Sequence, residues 1–296
     1  MAGRMNESLV ALLEERYGLS AGRAAPVRGL GDECEIWKVS RDGGFAVRVS
    51  PETRSASDLE WVYRVVERFA AAVPEAVAPL RGADHRTVAV WKGRPVSVWP
   101  WIEGAQLDRD EPRARRQAAE LLARLHSAAE ELNLGGRRPL PVPRCERCAH
   151  WEDLSDPALD AALLAWERRA RSKPLAVHGD FYRRNLICRD GAIAGLIDWD
   201  ELRVDHPERE LAWAAWELSK NPAGNAIMLE RAGGFLDAYA RTGRRRVDRA
   251  DLVPLIREGL RVEICRNRTA RGPGAPDDDY TAAEARAFRD LRGAAL

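Results

Sequence analysis

The chain has 296 residues, 45% hydrophobic and 31% charged, as is typical of a globular protein with one large domain or two lobes. Its formal net charge of +1 argues against nucleic acid or an acidic membrane surface as a partner. No stretch approaches the roughly 18 apolar residues of a membrane span, and five scattered cysteines indicate a reducing cytoplasm. The first twenty residues alternate apolar and charged positions at helical spacing, which predicts a helix and not a signal peptide.

The next eighty residues predict a small antiparallel sheet with one helix. "EIWKV" and "FAVRV" are joined by the turn signal "SRDGG", and "TVAVW" and "PVSVW" flank "KGR" in a second hairpin. Apolar residues from Leu59 to Phe69 repeat at intervals of three and four, which predicts a helix between the hairpins. Pro100 and Gly104 then interrupt the strand pattern and indicate a lobe boundary.

Beyond this boundary the chain is predicted to be mainly helical. "EPRARRQAAELLARLHSAAEEL", "LSDPALDAALLAWERRA" and "PERELAWAAWELSK" have apolar faces, and further helices are expected near 226–241, 251–267 and 281–292. Among them, "LIC" and "AIAGLI" flank the turn dipeptide Asp190-Gly191 and predict a hairpin. A small sheet lobe followed by a larger helical lobe predicts a cleft between them, where small ligands tend to bind.

Polar side chains gather around this hairpin, in "VHGDFYRRNLICRDGAIAGLIDWDEL". Asn185 and Asp198 are expected side by side at its open end, because neighbouring strands lie about 4.8 Å apart. Oxygen ligands at this spacing suit Mg²⁺, which completes its coordination with water and phosphate. Asp180 lies just before that end and is free to accept a proton. The alternative, turn and capping residues, suits each residue alone, but the three together favour the metal site.

These residues carry a family resemblance. "HGDFYRRN" followed by "IDWDE" resembles the catalytic loop and metal-binding motif of the aminoglycoside phosphotransferase and choline kinase-like family, relatives of the protein kinases. The resemblance implies that Asp180 is the catalytic base or orients the hydroxyl, and that Asn185 and Asp198 hold Mg²⁺. It leaves Asp200 as a contact to a second metal or as a hydrogen-bond partner of the loop. His178 is expected to brace the loop and not to perform chemistry.

The resemblance spans roughly residues 25 to 220 and implies a protein-kinase-like two-lobed α+β fold. A small N-terminal antiparallel sheet lobe is expected over residues 1–98 and a hinge over residues 99–104. A larger helical C-terminal lobe with the catalytic loop and the substrate site is expected over residues 105–296.

Three looser matches extend the resemblance. "RGLGDECEIWKV", with Gly29 and Gly31, resembles the nucleotide-covering loop. "SVWPWIEG", with Trp99 and Trp101, resembles the hinge, whose backbone would receive the adenine or guanine base. "LLARLHSA" resembles the helix before the catalytic loop, where His126 is expected to be a packing residue.

Two positions depart from the family pattern. Protein kinases place a lysine on the third strand, where it meets the nucleotide phosphates and a helix glutamate, and here Arg48 takes that place. Arginine keeps the charge and can bind phosphate through two donors. Glu60 is the expected partner of Arg48, Lys38 is the fallback for the phosphates, and a surface strand charge is the remaining interpretation. In "PERELAW", Glu210 replaces an aspartate and is expected to alter a structural contact that supports the catalytic loop.

The resemblance implies an Mg²⁺-dependent kinase that transfers the γ-phosphoryl group of ATP or GTP to a hydroxyl of a small molecule. The acceptor is an aminoglycoside or other antibiotic, or alternatively homoserine, choline or a sugar. A nucleotide-binding pseudokinase is a second hypothesis, supported only by the arginine, and a metal-dependent hydrolase ranks last. Neither nucleic acid nor a membrane is an expected partner, and the oligomeric state stays open. Asp277 to Asp279 could form an acidic rim for a cationic acceptor, although a solvated loop is favoured.

A short cysteine motif offers part of a metal site. "CERCAH" places Cys145, Cys148 and His150 at half of a zinc site. A structural zinc needs four ligands, and no second pair at matching spacing follows. Two ordinary thiols in a loop are therefore the favoured interpretation.

Overall fold

The computed structural model describes residues 4–20, 24–27, 34–40, 44–133, 152–170, 172–243, 245, 247–272 and 274–296. The chain divides into two units. The first unit comprises Met1–Ala105, Ile187–Arg189 and Ala194–Asp200, and the second comprises Gln106–Leu186, Asp190–Ile193 and Glu201–Leu296. Over the described ranges, no helix has the length and apolar character needed to cross a membrane.

The first unit is built on a five-stranded antiparallel sheet. Its strands are β1 (Ala24–Pro26), β2 (Glu35–Val39), β3 (Phe45–Val49), β4 (Val88–Trp91) and β5 (Arg94–Pro100), in the order β1-β2-β3-β5-β4. Both predicted hairpins are confirmed. Lys92 and Gly93 have φ of 48° and 80°, as expected of a two-residue turn that follows the strand twist. Arg48 lies in the middle of β3, opposite Ile36 on β2 and Ser97 on β5.

Two helices pack on this sheet, α1 (Glu7–Tyr17) and α2 (Ala56–Ala72). The side chains of Asn6 and Ser55 cap their N-termini, which satisfies backbone donors that a helix leaves free. The buried face of α2 carries the predicted apolar repeat, together with Glu60 and Tyr63. Two polar side chains therefore lie on the buried face of one helix in the first unit.

The second unit is mainly helical, as predicted. Its helices are α3 (Pro112–Glu131), α4 (Pro157–Arg169), α5 (Pro207–Leu218), α6 (Leu229–Thr242), α7 (Arg249–Arg271) and α8 (Asp279–Asp290). The first three begin with proline, which is favoured there because the missing N–H has no partner in the first turn. α3 packs on α6, and α7 packs on α4, α5 and α8.

Five short strands complete the topology: β6 (Ala105–Gln106), β7 (Leu175–Val177), β8 (Leu186–Arg189), β9 (Ala192–Leu196) and β10 (Arg203–Asp205). β7 pairs with β10 in the second unit, and β6, β8 and β9 form a sheet in that order. Asp190 and Gly191, between β8 and β9, have φ of 53° and 75°, which confirms the predicted turn. Asn185 lies in a single 3-10 turn, Arg183–Asn185, and not within the strand.

Candidate active site

The loop after β7 holds Asp180 in a fixed orientation. Asn185 donates from Nδ2 to both the backbone oxygen and Oδ2 of Asp180, at 2.9 Å each. The Asp180 N–H donates to Nδ1 of buried His178 at 3.2 Å, which gives His178 the bracing contact expected of it. Asp180 itself is half-buried, so its carboxylate is oriented by the loop and still within reach of solvent. A carboxylate held in this way is suited to orient a hydroxyl or to accept its proton.

Gly179 is required by the path of this loop. Its φ is 88°, and a Cβ at this position would lie 2.0 Å from the backbone oxygen of Glu201. Its N–H donates to Oε1 of Glu210 at 2.5 Å, and its carbonyl accepts from Arg203 at 2.9 Å. Only glycine combines this backbone conformation with this close approach.

Glu210 ties the loop to the helices of the second unit. Its Oε2 lies 2.8 Å from Nε2 of His126, and Nδ1 of His126 lies 2.8 Å from the Tyr239 hydroxyl. All three side chains are buried. Burial opposes ionisation of Glu210, but His126 and the Gly179 N–H stabilise the carboxylate and lower its pKa. Glu210 is thus a structural support of the loop that carries Asp180, and His126 is part of that support.

Arg48 and two aspartates form the polar centre of the first unit. Arg48 Nη1 lies 2.6 Å from Oδ1 of Asp198, and Nη2 lies 2.9 Å from Oδ2 of Asp200. Burial disfavours the charged guanidinium, but Asp200 and Asp198 together raise the pKa of Arg48 well above its usual value. Asp198 has a φ of 63°, a left-handed conformation that is uncommon for aspartate and concentrated at functional sites.

The expected pairing of Arg48 with Glu60 is not formed. The Glu60 carboxylate accepts hydrogen bonds from the backbone N–H groups of Thr87 and Val88 and from the Thr87 hydroxyl, at 3.0 to 3.1 Å through Oε2. Glu60 therefore anchors the start of β4 on α2. It is buried on the predicted face of the helix, but its charge is used for the backbone and not for Arg48.

Lys38, the fallback for the phosphates, is engaged at the predicted hinge. Its Nζ lies 2.6 Å from Glu103 and 4.3 Å from the centre of the Trp101 ring. The backbone N–H of Trp101 donates to the carbonyl of Gly44 at 3.0 Å. Trp99 is buried and donates from Nε1 to Ser97, so its side chain packs inside the first unit.

Each of the two predicted metal ligands offers an oxygen atom of the kind that Mg²⁺ accepts. Because Nδ2 of Asn185 is directed at Asp180, its Oδ1 is the amide atom that could meet a metal. Asp198 contributes a carboxylate that is 34% exposed, and amide and carboxylate oxygens are the ligands that Mg²⁺ accepts alongside water and phosphate.

Other predicted positions fall outside the described residues: Gly29, Gly31, Cys145, Cys148 and His150. Within the part of the chain that the structure describes, no group of three or more His, Cys, Asp or Glu side chains could hold a metal ion. Asp277 pairs with Arg268 and Asp278 caps α8, so these two members of the acidic run have structural contacts.

A buried polar cluster in the second unit was not predicted. Lys220 and Glu217, at the end of α5, are buried and paired at 2.5 Å, and Lys220 also lies 5.6 Å from the centre of the Tyr280 ring. Glu284 on α8 is 2% exposed, and among the described residues neither of its carboxylate oxygens has a hydrogen-bond partner. Its position on the buried face of α8 could have been read from the helical repeat, because Phe288 follows it by four residues.

The cluster combines a buried carboxyl group with two ion pairs. Burial raises the pKa of Glu284 to about 8, and Glu263 and Glu217 add to this, whereas Tyr280 and Lys220 act in the opposite direction. Glu263 also pairs with Arg266 at 2.7 Å. Burial opposes the charge of Arg266, but Glu263, with Glu201 and Asp180, raises its pKa. The charge of Asp180, in the loop after β7, therefore adds to that of Glu263 in favouring the charged form of Arg266.

The chain matches a known protein family and resembles proteins of known structure. The pattern of the phosphotransferase enzyme family APH matches residues 32–249. A homoserine kinase of Acidiphilium cryptum (strain JF-5) is 24% identical over 291 residues, which cover 92% of this chain and 88% of that protein. Among solved structures, amicoumacin kinase hAmiN in complex with AMP-PNP, Ca²⁺ and Ami superposes with a TM-score of 0.72 at 12% identity, covering 98% of this chain and 94% of that one.

A ternary complex of aminoglycoside phosphotransferase APH(4)-Ia with AMP-PNP and hygromycin B gives a TM-score of 0.61 at 18% identity, covering 97% and 98% of the two chains. These likenesses confirm the predicted α+β, protein-kinase-like fold, with its N-terminal antiparallel sheet and helical C-terminal part.

Proposed function

Because the chain belongs to the phosphotransferase enzyme family APH, we propose that it transfers the γ-phosphoryl group of ATP to a hydroxyl of a small molecule that also carries an ammonium group. The observation that carries this proposal is Asp180 in the loop after β7, whose backbone oxygen and carboxylate each accept a hydrogen bond from Asn185. This contact joins the aspartate and the asparagine that the kinase signature spaces five residues apart.

Each residue of the proposed site has a separate role in the reaction. Asp180 orients the incoming hydroxyl within about 2.6–3.2 Å and accepts its proton. Arg48 binds the phosphate tail, and Asn185 and Asp198 are the proposed Mg²⁺ ligands. Bound Mg²⁺ would supply neutralisation of the phosphate charge, since phosphoryl transfer depends mostly on positioning and electrostatics.

Two observations support ATP as the phosphoryl donor and a reducing compartment as the location. Two of the solved neighbours contain AMP-PNP, an adenine nucleotide analogue, which favours ATP over GTP. Cys34, Cys188 and Cys265 are free thiols, which supports a reducing compartment such as the cytoplasm.

The ammonium group is proposed from the buried cluster at α5 and α8. Ionising a buried carboxyl group such as Glu284 is costly, and a cation that reaches it offsets that cost. Once Glu284 is ionised, the three carboxylates Glu284, Glu217 and Glu263 outnumber the cations Lys220 and Arg266, so the ionised cluster favours a cationic ligand group. The joint effect of Glu263 and Asp180 on the pKa of Arg266 supports placing that group on the acceptor.

The comparisons favour two acceptor classes that combine a hydroxyl with an ammonium group. The curated relatives are homoserine kinases, and homoserine carries both groups on one small molecule. The solved neighbours include kinases of amicoumacin and of hygromycin B, which favours a cationic antibiotic as the second candidate. A sugar without an amine fits the cluster less well.

An acceptor screen tests the proposal. The purified chain with Mg-ATP or Mg-GTP is offered homoserine, an aminoglycoside, choline and glucose, and diphosphate release is followed with detection of the phosphorylated product. N-acetylhomoserine is the matched control, because it keeps the hydroxyl and loses the cation. We expect turnover with an amine-bearing acceptor, and equal use of the acetylated compound would contradict the ammonium assignment.

The Asp180→Asn variant tests the chemistry separately. It keeps the acceptor for the Asn185 hydrogen bond and removes the basic carboxylate, so turnover should be lost while ATP binding, measured by calorimetry, is kept. Unchanged turnover would refute the role of Asp180. ATP binding by the wild type without turnover on any acceptor would favour the pseudokinase hypothesis.

A further inference from the structure

Arg48 pairs with two carboxylates that differ in solvent exposure. Its Nη1 meets Asp198, whose side chain is 34% exposed, and its Nη2 meets Asp200, whose side chain is 2% exposed. The two arms of one planar guanidinium therefore face a solvent-accessible and a buried partner. A fork of this kind can exchange one partner while the other arm keeps its contact.

Asp200 is itself fixed from the opposite side. The Tyr63 hydroxyl donates to Oδ1 at 2.9 Å, while Oδ2 faces Arg48. Tyr63 is fully buried on α2 and packs edge-on against Trp99 with ring centres 4.8 Å apart. Oδ1 of Asp200 thus accepts a hydrogen bond from a buried hydroxyl, and Oδ2 meets Arg48 in an ion pair.

Glu60 does not orient Arg48. The glutamate expected to orient the strand cation is occupied by the N–H groups of Thr87 and Val88 at the start of β4. The orientation of Arg48 has to come from another residue, and Asp200 is the buried carboxylate that contacts it.

We propose that Asp200, fixed by Tyr63, is the positioning residue of Arg48 and takes the place of the helix glutamate of protein kinases. The proposal rests on the proposed function. Nη2 stays on Asp200 throughout the cycle, and Nη1 is the arm that leaves Asp198 for the nucleotide phosphate. Asp200 touches neither nucleotide nor acceptor and acts through Arg48.

The Asp200→Asn variant tests this assignment. Asparagine can still accept from Tyr63, but its amide group replaces the carboxylate oxygen that faces Arg48. We expect the Kd of ATP without metal, measured by calorimetry in EDTA, and the KM of Mg-ATP to rise at least about tenfold, because Arg48 loses its orientation. The KM of the acceptor and the Mg²⁺ concentration for half-maximal activity should change less than about twofold.

Tyr63→Phe provides a second, milder variant. It removes one hydroxyl, so we expect a rise of about threefold in the same two constants, and the double variant should match Asp200→Asn because Tyr63 acts through Asp200. Glu67→Gln on the same helix is the matched control, since it breaks an arginine pair with Arg81 away from this centre. Thermal unfolding of each variant shows whether the chain is folded.

Three outcomes would overturn the inference. Unchanged ATP binding in folded Asp200→Asn would exclude the positioning role while leaving the kinase proposal intact. A rise in the Mg²⁺ requirement with unaltered metal-free ATP binding would make Asp200 a metal ligand instead. A wild-type chain that binds no ATP would overturn this inference together with the proposed function. If Asp200→Asn does not fold, the constants of Tyr63→Phe decide, and no change in them refutes the proposal.

Discussion

Glu284 predicts a specific dependence of stability on pH. Its pKa rises from 4.5 to about 8 in the folded protein because the carboxyl is buried, with Lys220, Tyr280, Glu217 and Glu263 as its charged or titratable neighbours. Below about pH 4.5 both states hold the proton, so this group adds no pH dependence there. Between pH 4.5 and 8 the unfolded chain releases the proton and the folded protein keeps it, so stability falls as pH rises.

The magnitude follows from the shift. At about 1.36 kcal/mol for each pH unit, the loss approaches 5 kcal/mol at pH 8 and then levels off. Glu284→Gln cannot ionise and should be free of this loss. We expect the variant and the wild type to be similarly stable near pH 5, and the variant to be more stable by several kcal/mol at pH 8.5.

Urea unfolding at pH 5, 6.5 and 8.5, followed by tryptophan fluorescence, measures the difference directly. Exposed Glu15 on α1, changed to glutamine, controls for the loss of one negative charge. If the free energy of unfolding changed with pH in the same way in the wild type and in Glu284→Gln, Glu284 would not hold a proton in the folded protein.

The proton on Glu284 also predicts that the KM of an ammonium-bearing acceptor falls as pH rises from 7 to 9, because the cation binds the ionised carboxylate.

Two further predictions concern the backbone. Gly179→Ala should lower turnover by about 100-fold or more, because a Cβ 2.0 Å from the Glu201 oxygen forces the catalytic loop to move; normal steady-state kinetics would contradict this. Glu60→Ala should cost about 2–4 kcal/mol in urea unfolding, since it leaves two backbone donors of β4 without a partner, while the KM of ATP in the folded protein stays within about twofold. A large rise in that KM with little loss of stability would restore Glu60 as the partner of Arg48.

The local elements were predictable because their signals are local. Alternating apolar residues and the dipeptide Asp190-Gly191 act over a few positions, and the structure confirms the hairpins they predict. The partner of Arg48 could not be predicted in this way. Glu60 and Tyr63 lie three residues apart on one buried helix face, so periodicity shows that both point inward but not which of them reaches Asp200 or β4.

The buried cluster of Glu284, Glu217 and Lys220 shows the same limit. The repeat on α8 places Glu284 among buried residues, which marks it as unusual from the sequence alone. Its neighbours Glu217 and Lys220 come from α5, more than sixty residues earlier, and only tertiary packing brings them together. The glycines of the nucleotide-covering loop lie outside the described residues, and their role stays a prediction.

Because lysine is scarce in this protein, acylation of its lysines can be followed by tryptophan fluorescence. Only four lysines occur in the sequence, and three of them lie within about 5 Å of the centre of a tryptophan ring. Acylation removes the ammonium charge from the face of the indole, so each modification should shift tryptophan emission. Lys38 is partly exposed at the hinge and Lys220 is buried beside Glu284, so the two should react at different rates. Protection of one or the other by nucleotide or acceptor would then report, without any mutation, which region each ligand covers.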